Sequence, residues 1–163
     1  MNLAEAYVLS GQRDRAMACL EQARQWVKSQ RSWRANIEFL CESANMALVF
    51  RDLGLALELI RSLEAAAAGR EKVVPEPGMF EKLRLFRLAH TGTAEEAIRA
   101  ATEQTSRFRG HPLYYLEVLS AAAWLCKRKD GTIDQDIAAE LRLFDELGAT
   151  GLRQLLTAQG FLD

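Results

Sequence analysis

Residues 2–23, NLAEAYVLSGQRDRAMACLEQA, hold two helical patterns divided by one glycine. The first segment runs from Leu3 to Ser10 and stops at Gly11. The second carries Ala16, Leu20, Ala23 and Val27 on one stripe, the spacing of a helix with one covered face. Helix, glycine turn and helix make a hairpin, and working outward from it the same alternation recurs along the chain.

A third helical segment opens at Ser32, an N-cap residue type, and runs to about Leu53 with Trp33, Ile37, Leu40, Ala44 and Ala47 on its stripe. A fourth carries Ala56, Ile60 and Leu63, then an alanine run ending at Gly69. Residues 69–78, GREKVVPEPG, hold two of the three prolines, break the pattern and read as a loop. A fifth segment has Phe80, Leu83, Leu88 and Ala89 and stops at Gly92. A sixth opens at Thr93 with Glu96 three residues on, a capping box, and carries Ala94, Ala97, Ala101 and Phe108. A seventh starts at Pro112. From Leu113 to Cys126 only Glu117 and Ser120 are polar, so this helix is expected to be covered on most faces. Thr132, followed by Gln135, opens an eighth segment with Ile137, Leu141 and Phe144, and a short last helix holds Leu152, Leu155 and Leu156. The expected architecture is all-α: hairpins at approximately 1–30, 32–68, 78–109 and 112–147, and a capping helix at 149–160. Gly92 and Gly131 lie 39 residues apart, a helix-turn-helix period that points to a solenoid.

Composition agrees. The chain has 163 residues, 25 alanines, 24 leucines, 49% apolar residues and a formal charge of −1, which excludes a disordered chain. Sparse β-branched and aromatic residues argue against a β-sandwich. Three cysteines, Cys19, Cys41 and Cys126, with no CxxC, read as reduced thiols of a cytoplasmic protein. No uncharged run exceeds nine residues, the length of Val118 to Cys126, far short of the roughly 20 of a membrane span. Arginine outnumbers lysine 16 to 5, but the pI of about 6.2 makes no electrostatic case for nucleic acid. The clusters Arg24, Lys28, Arg31, Arg34 and Lys127, Arg128, Lys129 read as solvated helix faces and ends. No GxGxxG, P-loop, GxSxG or HExxH occurs. His90 and His111 sit at helix ends, and the adjacent Glu95 and Glu96 do not share a face. No enzyme, cofactor or metal site is expected.

The first hairpin resembles a tetratricopeptide repeat (TPR). Leu3, Ala4, Tyr7, Gly11, Ala16, Leu20 and Ala23 stand at that family's signature spacing. In such a repeat the alanines allow a close helix crossing, Tyr7 and Leu20 fill between repeats, and Gly11 permits the turn. A second copy aligns without gaps 40 residues on, with Ala44, Ala47, Ala56, Ile60 and Leu63 in the places of Ala4, Tyr7, Ala16, Leu20 and Ala23, and Arg51 in place of the glycine. A third has Leu88, Gly92 and Ala97 at the places of Tyr7, Gly11 and Ala16. The resemblance implies a right-handed α-α superhelix. Long, degenerate repeats of this kind look like those of the bacterial maltose-regulon activator (MalT-like) family. Met1 already stands mid-helix in the alignment, so the chain is expected to be a fragment of a larger protein.

Ligands of TPR arrays lie in the groove lined by the first helix of each pair. Carried over, that groove holds Glu5 and Val8, then Glu38, Cys41, Asn45 and Leu48, then Met79, Lys82, Phe86 and Ala89. The carboxylate clamp of chaperone-binding members has no counterpart, since its places hold Glu5, Glu42, Met79 and Leu83. The expected function is a non-catalytic protein–protein interaction module with a protein or peptide partner, within a bacterial signalling or regulatory protein. The alternative is an effector-sensing and oligomerisation domain of a MalT-like regulator, with a small-molecule effector and self-association. Nucleic acid and membrane are disfavoured as partners.

Overall fold

A computed structural model describes residues 4, 6–7, 10–130 and 142–162. Leu3, Glu5 and Val8, and the eighth segment with Thr132, Gln135, Ile137 and Leu141, lie outside the described residues. Among those described, every regular element is a helix. The chain divides into two compact units, Met1–Pro75 and Glu76–Asp163. The division falls inside the proline-bearing stretch that the sequence marks as a loop.

The first unit holds α1 (Arg13–Gln30), α2 (Trp33–Val49), α3 (Leu53–Ala67) and a single 3-10 turn, Glu71–Val73. Ser32 caps α2 as expected, its Oγ accepting from the Ala35 N–H at 3.3 Å, and Asp52 caps α3 by accepting from the Leu55 N–H at 3.1 Å. α2 thus ends at Val49, short of the Leu53 expected, because Asp52 and its cap already belong to the next helix. The turns before α1 and α3 share one geometry 40 residues apart. The Gln12 N–H donates to the Tyr7 carbonyl at 2.8 Å, and the Asp52 N–H donates to the Ala47 carbonyl at 2.9 Å. Gly11 and Arg51, just before these donors, both take the left-handed backbone, at φ 72° and 58°. The hydrogen bond that wraps a helix end demands this conformation, which suits glycine and strains arginine. Ala16 and Met46 form a buried cluster, with Ala4, Tyr7, Leu20, Val49 and Phe50 packed on it. Ala44, Ala56, Ile60 and Leu63 are closed from solvent. Ala23 is half-buried and Gly11 exposed.

The second unit holds α4 (Pro77–Thr91), α5 (Ala94–Phe108), α6 (Pro112–Asp130), α7 (Leu143–Glu146) and α8 (Thr150–Gln159). The loop is shorter than expected: α4 begins at Pro77, which is favoured in a first turn, and Gly78 lies inside the helix. Both capping-box bonds form, Glu96 N–H to Thr93 Oγ1 at 3.2 Å and Thr93 N–H to Glu96 Oε2 at 3.1 Å. Those bonds to the Thr93 backbone and hydroxyl hold the Glu96 carboxyl below its ordinary value. Gly92 departs from the pattern of Gly11. Its φ is −94°, an extended conformation, because Thr93 must cap α5 at once and leaves no room for a left-handed residue. Ala97 is fully buried.

α6 is the hub, as its composition implies, with Tyr115 to Ala123 buried without a break. α4 and α5 both pack along it. Gly78 meets Tyr114, Lys82 meets Glu117 and Phe86 meets Trp124, in that order, so α4 and α6 run parallel. At the first of these contacts a Cβ added to Gly78 would lie 2.7 Å from Cα and Cβ of Tyr114.

Two substitutions test these local demands by urea denaturation. Gly78→Ala has an intrinsic helix gain of about 1 kcal/mol, but the overlap with backbone reverses it, to a net loss of about 1–3 kcal/mol. Gly110→Ala, which meets nothing within 4 Å, stays within about 0.5 kcal/mol of wild type. Arg51→Gly relieves the left-handed strain and raises stability by up to about 1 kcal/mol; a loss would show that position 51 tolerates arginine without strain.

Candidate functional site

Of the expected groove residues in the first unit, Glu38 is half-buried and pairs with Arg34 at 3.0 Å. Cys41, Asn45 and Leu48 are 1%, 4% and 4% exposed, a correction to the expected groove. They stand on the face of α2 formed by positions 38, 41, 45 and 48. Of that face, Glu38 alone stays partly open to solvent.

An open cavity of about 490 Å³ lies instead on another face of α2, walled by α1 and α3. α2 contributes Phe39, Ser43 and Met46 to it, α1 contributes Met17 and Leu20, and α3 contributes Leu55 and Leu59. Met17 and Leu55 remain 40% and 36% exposed at its mouth. The rim is charged asymmetrically. Arg13, Glu21 and Arg24 stand on the α1 side, Arg13 lying 5.1 Å over the Phe50 ring and Glu21 offsetting Arg24 at 3.6 Å. Asp52 and Glu58 stand on the α3 side. Ser43 Oγ, at the wall, is buried and has no hydrogen-bond partner among the described residues. Leaving a buried hydroxyl unpaired costs about 1–3 kcal/mol, so a bound polar group would find a partner there. The sequence carries a signal for this face. α2 has apolar residues at 39 and 46, with Phe50 just past its end, as well as on its core stripe, and Met17 stands off the stripe of α1.

In the second unit the expected groove residues Lys82 and Phe86 are also buried, a second correction. Lys82 has no exposed surface. Its ammonium donates to Glu117 Oε1 at 3.2 Å and to Gln159 Oε1 at 3.1 Å, and lies 5.8 Å from the Phe161 ring centre. Phe86 stacks on Trp124 at 5.0 Å, and Phe161 stands edge-on to both, at 5.8 and 5.6 Å. The segment that contains α8 and Phe161 therefore covers this face of α4. Trp124 and Tyr114 belong to different clusters, since Tyr114 packs edge-on to Phe108 at 6.3 Å.

Glu81, one residue before Lys82, points to a different neighbour. It pairs with Arg84 at 3.0 Å and with Arg107 of α5 at 3.6 Å. Burial pushes its carboxyl above the ordinary 4.5 despite both arginines. Among the described residues no group of three His, Cys, Asp or Glu side chains is placed to hold a metal ion. No disulfide joins Cys19, Cys41 and Cys126. No described helix is long and apolar enough to cross a membrane.

The raised Glu81 carboxyl sets a sign for pH dependence. The folded state holds this proton more tightly than the unfolded chain. Its contribution is therefore fully present below the unfolded value and is lost as pH rises through the folded one. Wild-type protein is expected to lose stability relative to Glu81→Gln as pH rises from the ordinary carboxylate value through the raised folded one, read as the difference in urea midpoints. A difference that does not change with pH would place the Glu81 titration at its unfolded value.

Compared with protein-family models, with curated proteins and with solved structures, the chain matches none.

Proposed function

We propose that the chain is a non-catalytic interaction module built from TPR-like helical hairpins, and that it binds a peptide segment of a protein partner in the cavity between α1, α2 and α3. The observation that carries this reading is the cavity itself, about 490 Å³ in volume, apolar in its walls and open at Met17 and Leu55. A contiguous apolar recess rimmed by charge is a common form of docking site. The occupant that fits is a short amphipathic helix presenting two or three large apolar side chains at successive turns. Arg13 on the α1 side and Asp52 and Glu58 on the α3 side would orient it, with an acidic residue toward Arg13 and basic residues along the other flank. Ser43 would meet a hydroxyl or amide on its apolar face.

A second reading keeps the same recess for a small apolar effector, as in a sensor domain of MalT-like type. The volume falls in the range of about 300–1,000 Å³ found for small-molecule sites. The open mouth and the two opposed charged rims favour the peptide.

The test is selection of helical peptides from a displayed library on wild-type protein, followed by measurement with Met17→Glu/Leu55→Glu. Both side chains are already partly exposed, so the double variant keeps the fold. Selected peptides are expected to carry an apolar stripe between acidic and basic flanks, and to bind the double variant at least about tenfold more weakly. Selected peptides that bind both proteins equally, or an exhaustive selection that yields none, would remove the peptide reading.

A further inference from the structure

The strongest unexplained feature lies in the second unit: a charged pair sealed beneath the end of α8. We propose that Lys82 and Glu117, with the stacked rings of Phe86 and Trp124, form a second recognition site. Its ligand class is a peptide carrying a side-chain carboxamide and, two residues on, a phenylalanine. The chain's own Gln159-Gly160-Phe161 occupies it as an internal ligand. The proposal does not depend on the cavity of the first unit.

Three observations converge. The first is the chemistry of the floor. An ion pair buried as deeply as Lys82–Glu117 contributes little more than well-packed apolar side chains would. What it adds is direction, because the ammonium offers donors at fixed angles. One donor meets Glu117 at 3.2 Å, and another meets the Gln159 carbonyl oxygen at 3.1 Å. The amide is recognised as an acceptor beside a cation, which is a selective contact. The second is the slot for the ring. Phe86 and Trp124 lie nearly parallel, at 16°, and Phe161 enters edge-on at 79° and 75°. This is the arrangement in which aromatic quadrupoles attract.

The third is the form of the occupant. α8 has ten residues and no side-chain cap at its start, a length at which a helix has little stability of its own. Within Thr150–Leu162, burial is concentrated at three residues, Leu156, Gln159 and Phe161. Gly160, at φ 85°, turns the chain between the last two, and the Phe161 N–H closes onto the Leu156 carbonyl at 3.0 Å. The motif that brings the amide and the ring to one side is therefore local to these residues. A separate peptide of the same sequence can carry it, and what the site loses when α8 leaves is remade in trans.

The probe is a fluorescent peptide of sequence TGLRQLLTAQGFL, residues 150–162, read by anisotropy on the full chain. An internal occupant competes at a high effective concentration. Wild-type protein is therefore expected to bind the probe at least about tenfold more weakly than Gln159→Ala/Phe161→Ala, in which the site is vacated. The same two alanines placed in the peptide are expected to abolish binding to the vacated protein. Equal binding to wild type and variant, or no binding to a variant that keeps its helical circular dichroism, would overturn the proposal. A second measurement uses wild-type protein alone. In amide exchange, excess unlabelled peptide is expected to speed exchange in α8 and leave α4 and α6 protected; an α8 that exchanges as slowly as α6 and does not respond would also overturn it.

Discussion

The second unit is organised by the near-contact of α4 and α6 at Gly78. With no side chain there, α4 comes down on Tyr114 closely enough that a methyl group would overlap its backbone. Two parallel helices that touch at one turn stay in register at the next. Four residues on from Gly78 stands Lys82, and three on from Tyr114 stands Glu117, and the two pair at 3.2 Å. Four on from Lys82, Phe86 reaches Trp124, which stands seven on from Glu117. The ion pair thus lies one turn from the close approach on both helices, and the stacked rings follow further along the same pair. Were the helices further apart, the ammonium would not reach its carboxylate, and an unpaired buried charge is far costlier than a paired one.

Adjacent positions on α4 divide the polar work of the unit. Glu81 and Lys82 lie about 100° apart around the helix, so each serves a different neighbour. Glu81 faces Arg107 on α5, while Lys82 faces Glu117 on α6 and Gln159 at the end of α8. Of the two, the carboxyl of Glu81 is pushed up by burial even with two arginines beside it. The first unit handles its polar residues differently. It keeps charges on the rim of an open recess and leaves a single serine hydroxyl inside without a partner among the described residues.

Local features were legible because they depend on neighbours in sequence. Ser32 and Thr93 with Glu96 cap their helices, Pro112 begins α6, and Gly11 turns left-handed, each through groups no more than five residues away. The gap-free 40-residue alignment also has a physical counterpart, since Gly11 and Arg51 share one turn. Gly92, aligned to the same place, does not, because the cap of α5 follows it directly. The groove residues were legible only as helix positions. Cys41, Asn45, Leu48, Lys82 and Phe86 do lie on helical faces, yet a face becomes groove or core according to what lies over it. That depends on residues far along the chain, such as Gln159 and Phe161 over Lys82, 77 and 79 positions away.

The sequence by itself determined the helical class, the helix starts, the turn at Gly11 and the central place of α6. Alternation of apolar residues, caps and breakers act over one or two turns, and such local terms do not need the rest of the chain. Tertiary structure alone decided which surfaces are available. It closed the expected faces of α2 and α4, opened a recess on a different face of α2, and sealed a lysine that composition would have placed in water. Burial depends on the sum of neighbours from distant segments, and a pattern of spacings records which face is apolar without recording what, if anything, will cover it.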